Sequence, residues 1–227
     1  VLFFLLMLFF YNIYIYMFNF KKFNEINNLI KNNGKLTKIV AISKNHTKES
    51  INEAIKYGVL TFGENRVQEA QEKFINIKET NPNIELHLTG PLQSNKVKTA
   101  MNLFDVFHTL DREKIAKEFS KFSKVLQKKK FFVQVNTGKE PTKSGIYPND
   151  LKDFLFYLKN DLNLFVEGLM CIPPIDEDPK LHFSMLKILA NENNIKKLSI
   201  GMSSDYNEAL EFNPTYIRLG TVLFGKR

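Results

Sequence analysis

From Lys38 to the end of the chain, short apolar runs alternate with amphipathic, lysine-rich segments of helical period. KIVAISK (38–44) reads as a buried strand and KESINEAIKYG (48–58) as a helix closed by Gly58. TFGEN (61–65) predicts a short strand and RVQEAQEKFINIKE (66–79) the helix after it. IELHLTG (84–90) is followed by SNKVKTAMNL (94–103), with Ser94 as its N-cap. VFHTL (106–110) leads into DREKIAKEFSKFSKVLQ (111–127), capped by Asp111. KFFVQVNT (130–137) gives way to a loop and a helix near 148–160. LFVEGLMCI (164–172) precedes a helix around 179–194, opened by the proline-rich CIPPIDEDP. KLSIGM (197–202), a short helix near 205–212 and TYIRLG (215–220) close the series, with LFGKR trailing.

The pattern contains eight strands, each but the last followed by a helix. Strands separated by helices predict a parallel sheet, and eight of them in about 200 residues predict a closed (β/α)₈ barrel. An open doubly wound sheet is the competing architecture, but it normally carries a glycine-rich phosphate loop after its first strand. Here that strand ends in Ser43-Lys44-Asn45. Nothing between Lys21 and Arg227 reads as a linker or a repeat, so residues 21–227 form one domain.

Residues 1–20 stand apart, because VLFFLLMLFFYNIYIYMFNF carries no charge. By length and apolarity the segment could span a bilayer. A secretory signal lacks its positive leading region and small-residue cleavage site. The third reading is translated upstream DNA with Met17 as the start, since nearly every residue of the run can be coded by A and T alone. Membrane contact is expected only if residues 1–20 are an anchor, and the domain itself is expected in the cytoplasm.

Composition narrows the function more than it suggests one. The formal charge is +8, but only four of the 32 basic residues are arginine. Nucleic-acid readers lean on arginine for bidentate contacts, so the basic balance points to an AT-rich genome and no nucleic-acid partner is expected. A single cysteine excludes a disulfide framework, and four scattered histidines show no metal-ligand spacing.

In such a barrel, chemistry sits at the carboxyl ends of the strands, and phosphate groups bind after strands seven and eight. Lys44 ends the first strand and Asn65 the second; Ser203 and Ser204 follow the seventh, and Gly220-Thr221 the eighth, with Arg218 two residues before Gly220. A lysine at the end of an apolar strand is partly desolvated, which favours a nucleophilic amine able to form a Schiff base. Ser-Ser and Gly-Thr loops offer hydroxyls and open N–H groups to a phosphate. Each feature alone is ordinary: a lysine can snorkel to a rim, and these dipeptides are common turn material. A lysine and a phosphate cradle at one barrel mouth together point to pyridoxal 5′-phosphate (PLP).

LTKIVAISKNHTKESINEAIKYGVLTFGENRVQEA, HLTGPLQSNKVKT, VQVNTGKEPTKSGI, EGLMCIPP and SIGMSSDYNEAL…YIRLGTVLFGKR resemble the pyridoxal phosphate homeostasis family. That family in turn resembles the barrel domain of alanine racemase, a PLP-binding barrel of fold type III. The likeness runs collinearly over roughly residues 25–227, and FGEN-x-VQE with GPLQSNK is its most specific part. The resemblance implies that Lys44 is the lysine bonded to the cofactor. It implies that Ser203, Gly220 and Thr221 hold the phosphate, that Arg218 faces the pyridine nitrogen and that Asn65 lies beside the ring. Arg66 stands where the family commonly has an aromatic residue, and Leu88-Thr89 where it has an aromatic and an aliphatic one.

The resemblance implies a protein that holds PLP and supplies it to PLP-dependent apo-enzymes, as a monomer and without turnover. The alternative is a racemase-like enzyme using the same lysine. Racemisation needs a second acid–base group on the opposite face of the cofactor, which alanine racemase takes from a separate β domain. The sequence ends seven residues after Gly220, which predicts a barrel without that domain. A guanidinium beside the ring nitrogen also disfavours its protonation and weakens the electron sink.

Several other positions stay open at this level. GPLQSNK (90–96) reads either as a loop closing the site or as a helix cap. KSG (143–145) reads as a charged rim or a solvated turn, and Lys128–Lys130 as a solvated helix end. His46 and His182 read as surface positions, and Cys171 as a small strand residue. Met170 points near the cofactor only if its side chain faces inward, which the alternation leaves undecided.

Overall fold

The computed structural model describes residues 18–226. The apolar run up to Met17, with the anchor, signal and upstream-DNA readings attached to it, lies outside the described residues. Among those described, no helix is long and apolar enough to cross a membrane.

Eight parallel strands close on themselves in chain order: β1 Lys38–Ile42, β2 Thr61–Glu64, β3 Glu85–Leu88, β4 Val106–Leu110, β5 Lys130–Gln134, β6 Gly168–Met170, β7 Lys197–Ser199 and β8 Tyr216–Leu219. The barrel closes where β1 pairs with β8 in unbroken register from Lys38 opposite Tyr216 to Ala41 opposite Leu219. The eight-stranded parallel barrel expected from the alternation is therefore the observed fold.

A closed parallel sheet sorts its residues by the strand period of two. Val40, Ile42, Val106, Phe132, Met170 and Tyr216 form a buried cluster of their own inside the barrel. The alternate residues, such as Ala41, Phe62, Leu86, Phe107, Val133, Leu169 and Ile217, join the larger core between sheet and helices. Met170 thus faces the interior, where it packs under the mouth.

Two glycines make this filling possible. A Cβ on Gly63 would meet Ile42 Cδ1 at 2.4 Å, and one on Gly168 would meet the Phe132 ring at 2.2 Å and the Lys197 carbonyl at 2.6 Å. The large interior side chains of β1 and β5 occupy the space their neighbours leave.

The strands are shorter than the apolar runs that predict them, most visibly in β6 and β7. After β7 the chain turns at Gly201, whose φ is +90°. The segment after β4 divides into two helices, Glu113–Ser120 and Ser123–Leu126. Asp111 does not cap the first of them; it pairs with Arg112 instead.

Two helices are absent from the sequence reading. Phe20–Asn32 is capped by the Asn19 side chain, which accepts from the Lys22 N–H, and it buries Ile26 and Ile30. Thr221–Phe224 follows β8 directly and takes in the first two residues of LFGKR, the segment read as trailing. The two meet: the Asn19 N–H donates to the Leu223 carbonyl at 2.7 Å, and the buried Phe18 ring lies 5.4 Å from that of Phe224. The packed chain therefore already includes Phe18, three residues ahead of the boundary read at Lys21.

Gly168→Ala tests the interior filling. Its methyl group must displace the Phe132 ring or the β7 backbone, so the variant should lose about 1–3 kcal/mol. That corresponds to a Tm lower by about 2–4 °C for each kcal/mol in a chain of this size, readable by thermal denaturation.

Candidate functional site

The carboxyl-terminal mouth of the barrel opens into a pocket of about 550 Å³. Lys44, Asn65, Ser203, Arg218, Gly220 and Thr221, singled out from sequence on four separate segments, all line it. Ile42, Thr89, Ile172, Met202 and Ser204 complete the lining. Its charged side chains are Lys44 and Arg218, and no carboxylate is among the lining residues. Strands β1, β2, β3, β6, β7 and β8 or the loops after them contribute to the pocket.

Lys44 is half-buried in the turn after β1, with Asn45 following in the left-handed region at φ 62°. This turn is held from behind by a side chain that the sequence reading passed over. Lys73, on the helix Val67–Thr80, donates from Nζ to the Ser43 carbonyl at 2.8 Å and the His46 carbonyl at 3.3 Å. The same ammonium pairs with Glu64 at 2.6 Å and Glu69 at 2.8 Å. The Ser43 hydroxyl donates to Glu64 Oε1 at 2.7 Å, and the Asn45 N–H donates to the Glu69 carboxylate.

Burial pushes the Glu64 carboxyl above its ordinary value, although the Lys73 charge and the Lys73 and Ser43 hydrogen bonds pull it down. Its Oε2 finds no hydrogen-bond partner among the described residues. The signal that identifies Lys73 is its position: it sits on the buried stripe of Val67, Ala70, Phe74 and Ile77, where a lysine must have a partner.

Arg218 is buried on β8, and its guanidinium is fixed by protein acceptors. Nη1 donates to both the carbonyl and the hydroxyl of Ser199 at 2.7 Å, and Nη2 donates to the Cys171 carbonyl at 3.0 Å. Burial lowers the guanidinium from its ordinary value. The Cys171 thiol is itself buried and pushed up to about 12, chiefly by desolvation, so it is a packed, unreactive thiol.

On the side of the mouth next to β1, the loops after β7 and β8 are tied to each other. The Ser203 hydroxyl accepts from the Gly220 N–H at 3.3 Å and the Val222 N–H at 3.4 Å. Asp205 holds the preceding turn, accepting from the Met202 N–H at 2.5 Å; burial raises its carboxyl despite that bond. Hydroxyl residues from the loops after two strands, Ser203 and Ser204 with Thr221, thus line one side of the pocket, an arrangement suited to an anion.

Asn65 is oriented from β3: its Oδ1 accepts from the Thr89 hydroxyl at 3.0 Å. Gly90 lies so close to it that a Cβ there would stand 2.3 Å from the Asn65 carbonyl. The GPLQSNK segment is not a helix cap, because Ser94 opens only a 3₁₀ turn with no side-chain cap bond, and none of its residues lines the pocket of Lys44. Pro91, Leu92, Gln93 and Lys96 line a second groove of about 630 Å³ with Arg66 and Arg112, and Asn65 borders both spaces.

Two histidines differ from the sequence reading. His46 is buried and stacks on Phe224 at 5.1 Å. His182 is buried between Thr137 Oγ1 at 3.0 Å and Glu177 Oε2 at 3.1 Å. Among the described residues, no group of His, Cys, Asp and Glu is placed to hold a metal.

The family model for the alanine racemase N-terminal domain matches residues 21–227. The pyridoxal phosphate homeostasis protein of Pasteurella multocida is 37% identical over 204 residues, covering 84% of this chain and 86% of the relative. Among solved structures, PipY of Synechococcus elongatus without PLP matches at TM-score 0.77 and 35% identity. With PLP bound, it matches at 0.72 and 32%, again over 84% of this chain and 93% of that one. Alanine racemase of Clostridium difficile, at 17% identity and TM-score 0.67 over 91% of this chain and 56% of that one, is similar in fold.

The clamp behind Lys44 is tested by Lys73→Met. Removing the ammonium strands the buried Glu64 carboxylate, and urea denaturation should show a loss of about 3–5 kcal/mol. Adding Glu64→Leu should recover most of it, because the uncompensated charge is then gone. Additive losses in the double variant would refute the pairing.

Proposed function

Because the chain belongs to the pyridoxal phosphate homeostasis proteins within the alanine racemase N-terminal domain family, we propose that it binds PLP at the barrel mouth and serves PLP homeostasis by holding and supplying the cofactor. The observation that carries this reading is the make-up of one pocket. Its only charged lining residues are a lysine and an arginine, and Ser203, Ser204 and Thr221 bring three hydroxyl-bearing side chains to its wall beside Gly220.

The fit follows from size and charge. A pocket of about 550 Å³ lies within the range of small-molecule sites. A phosphate monoester carries about −1.5 to −2 charges at neutral pH, and the pocket that would take it has two cationic side chains and no carboxylate among its lining residues. When bound, PLP supplies an aldehyde that reacts with primary amines and a ring that can withdraw electrons.

In this assignment Lys44 provides the amine that captures the aldehyde, and the Lys73 clamp keeps its turn at the rim. Ser203, Gly220 and Thr221 hold the phosphate, with Ser204 beside them. Asn65, oriented by Thr89, borders the ring. Arg218 faces the ring nitrogen, and a guanidinium only donates hydrogen bonds. It leaves that nitrogen unprotonated, which weakens electron withdrawal and favours holding over turnover.

The protein works as a monomeric carrier in the cytoplasm and passes its cofactor to PLP-dependent apo-enzymes. The second reading, a racemase-like enzyme, shares the lysine and the barrel and differs in requiring proton delivery to both faces of a bound amino acid.

Borohydride reduction of the loaded protein followed by peptide mapping should place the pyridoxyl group on Lys44. A label on another lysine would move the site. Ser203→Ala and Thr221→Val should each weaken binding roughly tenfold to hundredfold, the worth of one hydrogen bond to a charged group. Unchanged affinity in both would relocate the phosphate.

Turnover is judged by loss of α-deuterium from several L-amino acids, measured beside cofactor transfer to an apo-enzyme. Transfer without exchange is expected. Exchange with enantiomer interconversion at roughly 1 per second or faster would establish the enzyme reading instead.

A further inference from the structure

The barrel interior carries polar side chains that the pocket walls alone do not call for. Arg218 Nη1 donates to Ser199 Oγ at 2.7 Å. Ser199 Oγ lies 2.8 Å from His108 Nδ1, His108 Nε2 lies 2.8 Å from His87 Nδ1, and His87 Nε2 lies 2.8 Å from Glu85 Oε1. Glu85 is the first residue of β3, at the end of the barrel opposite the pocket. There its Oε2 accepts from Lys130 at 2.9 Å and its Oε1 from the Tyr216 hydroxyl at 3.2 Å. His87, His108 and Ser199 are completely buried.

The two ends give this string a direction. A guanidinium can only donate and an ionised carboxylate can only accept. With both imidazoles neutral, one arrangement satisfies every contact: the Ser199 hydroxyl donates to His108 Nδ1, His108 Nε2–H to His87 Nδ1, and His87 Nε2–H to Glu85. Each other pair of neutral tautomers sets two acceptors face to face at 2.8 Å. Ser199 is then held from both sides, accepting from Arg218 and donating to His108.

One added proton would undo this. A protonated His87 would donate to His108 Nε2, His108 would carry its hydrogen on Nδ1, and the Ser199 hydroxyl would lose its acceptor beside Arg218. The surroundings oppose that proton. Burial is the largest influence on both rings and lowers both; Lys130 acts the same way on His87, against Glu85 and Asp105, and His87 and Arg218 act the same way on His108. The aromatic neighbours are uncharged: Tyr216 meets His87 edge-on at 4.9 Å and Phe132 stacks on His108 at 5.1 Å.

We propose that Ser199, His108, His87 and Glu85 are positioning residues for Arg218, joined to it in a one-way string of hydrogen bonds that crosses the barrel and aims the guanidinium into the pocket. The string is a property of the fold. Its effect on bound PLP rests on the function proposed above, so the test has one arm for each.

The first arm uses the full chain without cofactor. Side-chain ¹⁵N spectroscopy should find His87 and His108 as neutral Nε2–H tautomers throughout pH 5.5–9. An imidazolium at His87 or an Nδ1–H tautomer at His108 would overturn the proposal, whether or not PLP binds.

The second arm loads PLP onto Ser199→Ala and Ser199→Thr. The alanine variant should bind about tenfold more weakly, with a shifted absorption maximum and an altered pH profile of that band. The threonine variant, which keeps the hydroxyl, should restore them. A folded Ser199→Ala with unchanged affinity and spectrum would overturn the positioning role. If neither variant folds, the tautomers in the unaltered protein decide. Failure of the unaltered protein to bind PLP would instead refute the proposed function and leave the first arm intact.

Discussion

Closure of the sheet is the constraint on which the rest of this protein depends. Once β8 pairs with β1, every second side chain of eight strands is driven into one narrow tube, with no edge left over. The tube must be filled, and the chain fills it with large residues on some strands and none on others. Val40, Ile42 and Phe132 occupy the space that Gly63 and Gly168 give up. The same closure places the ends of all strands on one ring, so residues far apart in sequence share one mouth.

Polar groups in such an interior must find partners, since an unpaired buried donor or acceptor costs about 1–3 kcal/mol. Two separate networks, one on each side of the sheet wall, meet most of that requirement, Glu64 Oε2 being left without a partner among the described residues. Outside the wall, Lys73 gathers Glu64, Glu69 and the carbonyls around Lys44. Inside it, Glu85, His87, His108 and Ser199 lead to Arg218. The two cations that face the pocket are thus set by opposite means. Lys44 is placed through the backbone of its turn, and Arg218 through its own side chain.

The electrostatics of the pocket are local and owe little to the overall charge of +8. Most of the 28 lysines are on helix faces, several in exposed ion pairs such as Lys22 with Glu25 and Lys117 with Glu113 that contribute little to stability. Arginine is scarce, and each one inside the described residues has a place: Arg218 in the pocket, Arg66 and Arg112 in the neighbouring groove.

The sequence by itself determined the strand–helix alternation, the closed barrel, and the positions that end strands one, two, seven and eight. These follow from periodicity and from the geometry of parallel sheets, which are local or topological properties. The helix Phe20–Asn32 escaped notice because it adjoins an apolar run that obscures its period, and Thr221–Phe224 because it is only four residues long. Lys73 was legible in principle, as a lysine on an apolar stripe. The pairing of His87 with His108 was not: 21 residues separate them, and although His87 opens the HLTGPLQSNK run, nothing in that run points to His108. Only strand register brings β3 and β4 together with those two side chains inward, and only burial on every side obliges them to bond to each other. Hydrophobic pattern records which residues leave water. Which buried polar groups satisfy one another is fixed when the sheet closes and no solvent remains to take their place.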